Sequence, residues 1–136
     1  MAFDSLKKFA LRWGPVILMM GLIFLFSSIP MRPHRLTVSP LKLDWPTLLR
    51  KIGHLLEYGL LALVLQRGLS LRGWKGIAAI LGCVLLFALS DEFHQSFVLG
   101  RNPSLIDVGI DIAGAGLAVC MAHVYTPLRR FMGAGL

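Results

Sequence analysis

Five of the seven carboxylates in this chain lie inside stretches that are otherwise apolar enough to cross a membrane, and these are Glu57, Asp91, Glu92, Asp107 and Asp111. An acid at the centre of a bilayer costs about 2.5–3.5 kcal/mol on insertion scales. A membrane protein that keeps several such acids therefore buries them together, with partners. These five residues are the first candidates for a functional site.

The composition of the chain predicts a membrane protein. Its 136 residues are 56% hydrophobic and 15% charged, with a mean hydropathy of +0.71, which is too apolar for a soluble domain of this size. We predict an all-α integral membrane fold in which residues 1–136 form one domain, a small bundle of four transmembrane helices. The predicted spans are 13–29, 47–66, 77–98 and 105–125. Each is near the roughly 20 residues that cross a bilayer, and each must be helical because lipid offers no partner to open backbone groups.

The lysine and arginine residues predict the orientation of the bundle. If both termini are cytoplasmic, that side receives Lys7, Lys8, Arg12, Arg67, Arg72, Lys75, Arg129 and Arg130, and the other side receives Arg32, Arg35, Lys42, Arg50, Lys51 and Arg101. This bias favours cytoplasmic termini. The net charge of +7 then suits attachment to anionic lipid. No nucleic-acid partner is expected, because the basic residues are scattered in short loops without interleaved aromatic residues.

Polar residues of the second and third spans fall on single helical faces. The stripe on the second span is roughly 60° wide at 100° per residue, and a further residue lies about 60° beyond it. Its members are Lys51, His54 and Tyr58, with Glu57 as the flanking residue. On the third span, Asp91, Glu92 and Gln95 cover about 100°. Both stripes can face the interior of a bundle.

The fourth span carries its acids above a row of small residues. Asp107 and Asp111 are one turn apart on one face, and the same face continues as Gly114 and Ala118. Small residues at this spacing let a neighbouring helix approach closely. We therefore expect Gly114, and with it Gly109 and Gly116, to pack helices.

The depths of the polar stripes agree with one another. Lys51, His54, Asp91 and Asp111 all lie within about 10 Å of the outer ends of their helices at 1.5 Å per residue, whereas Glu57 lies about 15 Å down. This placement predicts a pocket that opens to the extracytoplasmic side. Arg101, in the connection between the third and fourth spans, should lie at its rim.

These residues resemble the VanZ-like family of membrane proteins. Lys51, His54, Glu57 and Tyr58 match its K-x-x-H-x-x-E-Y motif, and Asp91, Glu92, Gln95, Arg101, Asp107 and Gly114 are similar to its second block. Arg50 stands where many members have an acid, and Asp111 where many have asparagine. The family takes its name from glycopeptide resistance, in particular toward teicoplanin. The resemblance implies a multi-pass protein of the bacterial cytoplasmic membrane.

The acids of the predicted pocket outnumber its fixed cations, Lys51 and Arg101. Three arrangements balance the charge: a carboxylate keeps its proton, a divalent cation binds, or Arg32, Arg35, Lys42 and Arg50 fold down from the outer loop. His54 with Asp91, Glu92, Asp107 and Asp111 offers oxygen-rich ligation for a hard cation. No zinc-type spacing of His or Cys is present in the sequence.

Three functions remain open from the sequence. In an enzyme, His54 or a carboxylate is the general acid or base, and Lys51 and Arg101 hold the anionic group of a membrane lipid or lipid-linked envelope ligand. No nucleophile is evident from motif spacing. In a binding protein, the same groups recognise an envelope lipid, a cell-wall precursor or an antibiotic without turnover. In a structural role, the polar residues hold the helices in register.

Overall fold

Four α-helices form across the part of the chain that the computed structural model describes, residues 2–30, 45–70 and 73–124. They are α1 (Ala2–Ser27), α2 (Trp45–Leu69), α3 (Gly73–Gln95) and α4 (Leu105–Val124). Three segments within these residues, Phe3–Ser27, Gly73–Gln95 and Leu105–Val124, are long and apolar enough to cross a membrane. The chain is therefore an all-α, multi-pass membrane protein. α2 is not among these three, and it carries the charged or polar residues Arg50, Lys51, His54 and Glu57.

α1 begins well before the predicted first span. It starts at Ala2 rather than at residue 13, which adds about 16 Å of helix at 1.5 Å per residue. The predicted span covered only the apolar run. The residues before it also favour helix, and Asp4 lies in the first turn, where an acid stabilises the helix dipole.

α3 ends three residues before the predicted boundary at 98. Gln95 is its last residue, and the chain then forms tight turns, with Val98 N donating to Gln95 O at 3.0 Å and Arg101 N to Val98 O at 3.1 Å. Gly100 has a φ of 79°, which favours glycine. Ser104 accepts a hydrogen bond from Ile106 N at 3.2 Å through its hydroxyl and so caps α4. This short connection makes α3 and α4 antiparallel neighbours.

The core of the bundle is an apolar cluster that runs along its length and includes Val108 of α4 at one end and Val16 of α1 at the other. Ile80 and Val84 of α3 pack with Leu61 of α2 and Val119 of α4, and all are almost fully buried. α1 contributes Ile23 to this cluster and contacts α2 and α3. Near its start, Arg12 Nε donates to Gly68 O at 2.6 Å. α1 is thus fastened to α2 at the end opposite the polar residues.

The close contact between α2 and α4 occurs at Gly114, as the small-residue row predicted. A Cβ added to Gly114 would collide with the carbonyl oxygen of Leu55 and come within 2.9 Å of its carbonyl carbon. On α2, a Cβ at Gly59 would meet Gly114 O at 3.3 Å. The expectation was wrong for Gly109 and Gly116, because a Cβ at either one meets nothing within 4 Å among the described residues.

Gly114→Ala should therefore destabilise the protein, since the new methyl group forces α2 and α4 apart. Overpacking of this kind costs about 1–3 kcal/mol. Gly116→Ala is the matched control, two residues away on the same helix, and should leave the melting temperature unchanged or slightly raised. Thermal melting of the purified protein measures both, and equal melting temperatures for the two variants would contradict the close contact.

Candidate functional site

The polar residues gather at one end of the bundle, where α1 and α3 end and α2 and α4 begin. Tyr58, Gln95, Asp91, Asp107 and Asp111 are almost fully buried there, and His54, Glu92 and Ser27 are buried. Lys51, Glu57 and Arg101 are partly buried. The structure thus brings all ten predicted residues to the same end of the molecule.

Two acids of α4 pair with three basic side chains of α2. Arg50 Nη1 lies 2.8 Å from Asp107 Oδ2, and Lys51 Nζ lies 3.2 Å from Asp107 Oδ1. His54 Nδ1 lies 3.0 Å from Asp111 Oδ1. Arg50 and Asp111, the two departures from the family pattern, both take part in this set of pairs, which fixes α2 against α4.

Arg50 accounts for part of the charge balance left open by the sequence. Of the four basic residues that could fold down onto the acids, Arg50 does so. Arg32, Arg35 and Lys42 lie outside the described residues.

Asp91 holds α1 and α3 together through a residue that the sequence reasoning missed. Ser27 Oγ donates to Asp91 Oδ1 at 2.6 Å, and Gln95 Nε2 donates to Asp91 Oδ2 at 2.8 Å. Both carboxylate oxygens are therefore satisfied. The one available signal was depth, because Ser27 ends the first apolar run near the predicted layer of acids.

Glu92 faces the connection between α3 and α4 rather than the centre of the site. Its Oε2 accepts a hydrogen bond from the backbone nitrogen of Ser104 at 2.6 Å. Glu92 therefore holds the first turn of α4 in place. Asp107 lies in that first turn, so this bond also helps to position the α4 acids.

A cavity of about 130 Å³ opens between α1, α2 and α3 at this end, and we call it the polar cavity. Its lining residues are Ile23, Phe26 and Ser27 of α1, Arg50, Gly53, His54 and Glu57 of α2, Asp91 of α3, and Arg101. Of the predicted site residues, His54, Glu57, Asp91 and Arg101 line it. Of the others, Asp111 and Tyr58 contact His54, and Gln95 donates to Asp91. Lys51 pairs with Asp107, and Glu92 accepts from Ser104 N.

Tyr58 packs its ring parallel to the ring of His54. The two rings are nearly parallel, with an interplanar angle of 8° and centroids 6.2 Å apart. The Tyr58 hydroxyl is buried. With Nδ1 of His54 directed at Asp111, the imidazole is fixed at both its face and its edge, which defines the position of its other nitrogen.

Arg101 is the least satisfied cation of the polar cavity. Its Nη2 donates to Phe26 O at 3.1 Å. Its Nε and Nη1 are buried, and neither has a hydrogen-bond partner within the described part of the chain. Burial, followed by the neighbouring charge of Arg50, lowers the pKa of Arg101 from its usual value. An anion in the cavity would offset the repulsion between the charges of Arg101 and Arg50.

The metal-binding arrangement does not form among the residues that the structure describes. No group of three or more His, Cys, Asp and Glu side chains in these ranges is placed to hold a metal ion. The acids are occupied by other partners: Asp107 pairs with Arg50 and Lys51, Asp111 Oδ1 with His54, and Asp91 with Ser27 and Gln95. The divalent cation considered from the sequence therefore has no ligand set among the described residues.

Comparison with known families agrees with the motif residues. The VanZ/LLP1 family model matches residues 13–126, a range that includes every residue of the polar cavity. The chain belongs to the VanZ/LLP1 family. Membership fits a membrane protein of the cell envelope. No curated protein and no solved structure shows significant similarity to the chain.

The pairing pattern predicts unequal effects for the two α4 acids. Asp107→Asn removes the charge shared by Arg50 and Lys51 and should cost about 2 kcal/mol, as for a lost hydrogen bond to a charged group. Asp111→Asn keeps an oxygen that accepts from His54 Nδ1–H and should cost less than about 1 kcal/mol. Chemical or thermal unfolding in detergent measures the difference. A larger loss for Asp111→Asn would show that its charge, rather than its acceptor oxygen, supports the fold.

Proposed function

We propose that this VanZ/LLP1 protein binds the phosphate of an envelope lipid, or of a lipid-linked envelope precursor, in the polar cavity. The observation that carries the proposal is Arg101, whose Nε and Nη1 are buried without a partner among the described residues. Guanidinium groups bind phosphate through paired N–H donors. A buried donor without an acceptor costs about 1–3 kcal/mol, and a phosphate oxygen removes that cost.

Arg50 supplies a second cation on the wall of the same cavity. Its Nη1 is held by Asp107 at 2.8 Å, so its position is fixed before a ligand arrives. Preorganised donors bind more tightly because less side-chain entropy is lost on binding. Asp107 is in this sense a positioning residue for the anion site.

The proposed setting is the bacterial cytoplasmic membrane, with both termini in the cytoplasm and α2 as the fourth span. The exposed positions on α2 support this role, because Leu49, Ile52, Leu56 and Leu60 are large, apolar and exposed. They form one stripe at helical spacing, while the charged residues turn toward α4 and the cavity. The lysine and arginine bias supports an extracytoplasmic position for the polar cavity.

The size of the polar cavity favours a small headgroup over an antibiotic. At about 130 Å³ it is comparable to the roughly 150 Å³ cavity that holds one benzene molecule. A phosphate with a short substituent fits, whereas a glycopeptide such as teicoplanin does not. Any contribution to teicoplanin resistance would then be indirect, through an envelope lipid.

Two other functions use the same residues. Catalysis on the bound ligand is favoured by His54, which lines the cavity and has its Nδ1 fixed by Asp111 at 3.0 Å, as suits a general acid or base. A purely structural network is favoured by the bonds of Asp91, Asp107 and Asp111 to neighbouring helices. Neither accounts for the buried, unpartnered donors of Arg101.

The orientation has a direct test in cysteine labelling. Starting from a Cys83→Ala, Cys120→Ala background, Asn102→Cys should react with a membrane-impermeant maleimide added outside intact cells, and Lys75→Cys should react only after permeabilisation. Both positions are exposed and lie at opposite ends of α3. Labelling of Lys75→Cys alone in intact cells would reverse the orientation and place the cavity on the cytoplasmic side.

Phosphate binding is tested by Arg101→Gln. The parent protein in detergent should bind phosphatidic acid, and Arg101→Gln should bind it at least about tenfold more weakly, since a charge-assisted hydrogen bond contributes about 1.5–3 kcal/mol. Lys8→Gln removes one exposed charge from α1 and should bind as the parent does. Native mass spectrometry or microscale thermophoresis measures the affinities.

The same two variants give the cellular readout. If the resistance link holds, a susceptible host that makes the parent or Lys8→Gln protein should tolerate more teicoplanin than one that makes Arg101→Gln at equal protein level. Equal affinity of the parent and Arg101→Gln for phosphatidic acid would contradict the anion site, whatever the cellular result.

A further inference from the structure

Glu57 is a carboxylate on the wall of the polar cavity, and a ligand with only a phosphate would leave it without a partner. Its side chain is partly buried and lines the cavity. It makes no hydrogen bond or ion pair with the residues that the structure describes. Of the charged groups that act on it, His54 directs Nδ1 to Asp111, Asp91 is satisfied by Ser27 and Gln95, and Arg101, on the same cavity wall, forms no ion pair with it. Among the described residues that line the cavity, Glu57 is therefore the carboxylate that remains for a ligand.

The charges of the polar cavity are separated along α2. Arg50 lies in the second turn of the helix and Glu57 lies seven residues later, about 10.5 Å further along the axis. Arg101, from the connection at the end of the bundle, lines the same cavity. The cations thus lie toward the mouth of the cavity, and the free carboxylate lies deeper. A ligand that satisfies both carries a phosphate and, beyond it, a positive donor.

The volume of the cavity and the number of N–H donors distinguish between the positive groups that a ligand could carry. A primary ammonium has three N–H donors, so it can bond to Glu57 and to a second acceptor. A quaternary ammonium has no donor and is larger, which disfavours it in about 130 Å³. Ile23 and Phe26 provide an apolar section of the wall on the α1 side, where the start of an acyl chain could leave toward the bilayer.

We propose that the ligand of the polar cavity is a phosphate ester that carries a primary amine, of the phosphoethanolamine type, and that a membrane lipid supplies it. Its phosphate binds Arg101 and Arg50, and its ammonium binds Glu57. This inference rests on the phosphate binding proposed above and names the class of headgroup.

The test compares headgroups on the full-length protein in detergent. Phosphatidylethanolamine, phosphatidylethanol and phosphatidylcholine with identical acyl chains differ only beyond the phosphate. Phosphatidylethanolamine should bind about tenfold more tightly than the other two, as for one charge-assisted hydrogen bond. Free phosphoethanolamine should bind more weakly than the lipid, because it leaves the apolar wall uncovered. Equal or tighter binding of the free compound would overturn the lipid as its source.

Glu57→Gln assigns the amine preference to one residue. The variant should bind phosphatidylethanolamine and phosphatidylethanol equally, while Asp4→Asn, which removes an exposed acid from α1, keeps the preference. A preference that survives in Glu57→Gln would overturn the role of Glu57. If Glu57→Gln does not accumulate, Glu57→Asp takes its place, and a reduced but remaining preference supports the assignment.

The two proposals fail in different ways. If the parent protein binds all three phospholipids equally, the amine inference is wrong and phosphate binding stands. If it binds none of them and no phosphatidic acid, phosphate binding itself is wrong, and the amine inference falls with it.

Discussion

The fold of the polar end depends on one constraint, which is that charges placed in an apolar medium must meet partners at close range. Gly114 makes this feasible, because its missing side chain lets α4 approach the backbone of α2 at Leu55. At that separation of the two helices, Asp107 of α4 can pair with Arg50 and Lys51 of α2. Asp111 can likewise pair with His54. Gly114 thus sets the separation of α2 and α4 on which the ion pairs depend.

These pairs divide the site into two parts, the residues that hold the helices together and the residues that line the cavity. Asp107 and Asp111 do not line the polar cavity, yet they determine where Arg50 and His54 lie. On the other side, Asp91 connects α3 to α1 through Ser27 at 2.6 Å, so the end of α1 closes the cavity. Arg101 lines the cavity, and its Nε and Nη1 are buried without a hydrogen-bond partner among the described residues. These donors are the basis of the proposed phosphate site.

Much of this site could be predicted from the sequence, because acids in apolar helices are few and must share a face. Helical periodicity placed Lys51 and His54 on one stripe and identified Gly114 as a close-contact position. Periodicity could not show that Glu92 turns toward Ser104, since an acid at the edge of a stripe can face either way. Ser27 was not predicted, because a hydroxyl in an apolar helix can also bond to the backbone of its own helix, as Ser27 does to Phe24 O at 3.1 Å.

The central claim, that the polar cavity holds a lipid phosphate against Arg101, is tested most directly by an experimental structure of the protein in nanodiscs that contain phosphatidylethanolamine. Headgroup density is expected in the cavity, with the phosphate about 2.7–2.9 Å from Nε or Nη1 of Arg101, as in charge-assisted hydrogen bonds. A well-ordered cavity without headgroup density, in which Arg101 pairs with Glu57 or Asp91, would contradict it.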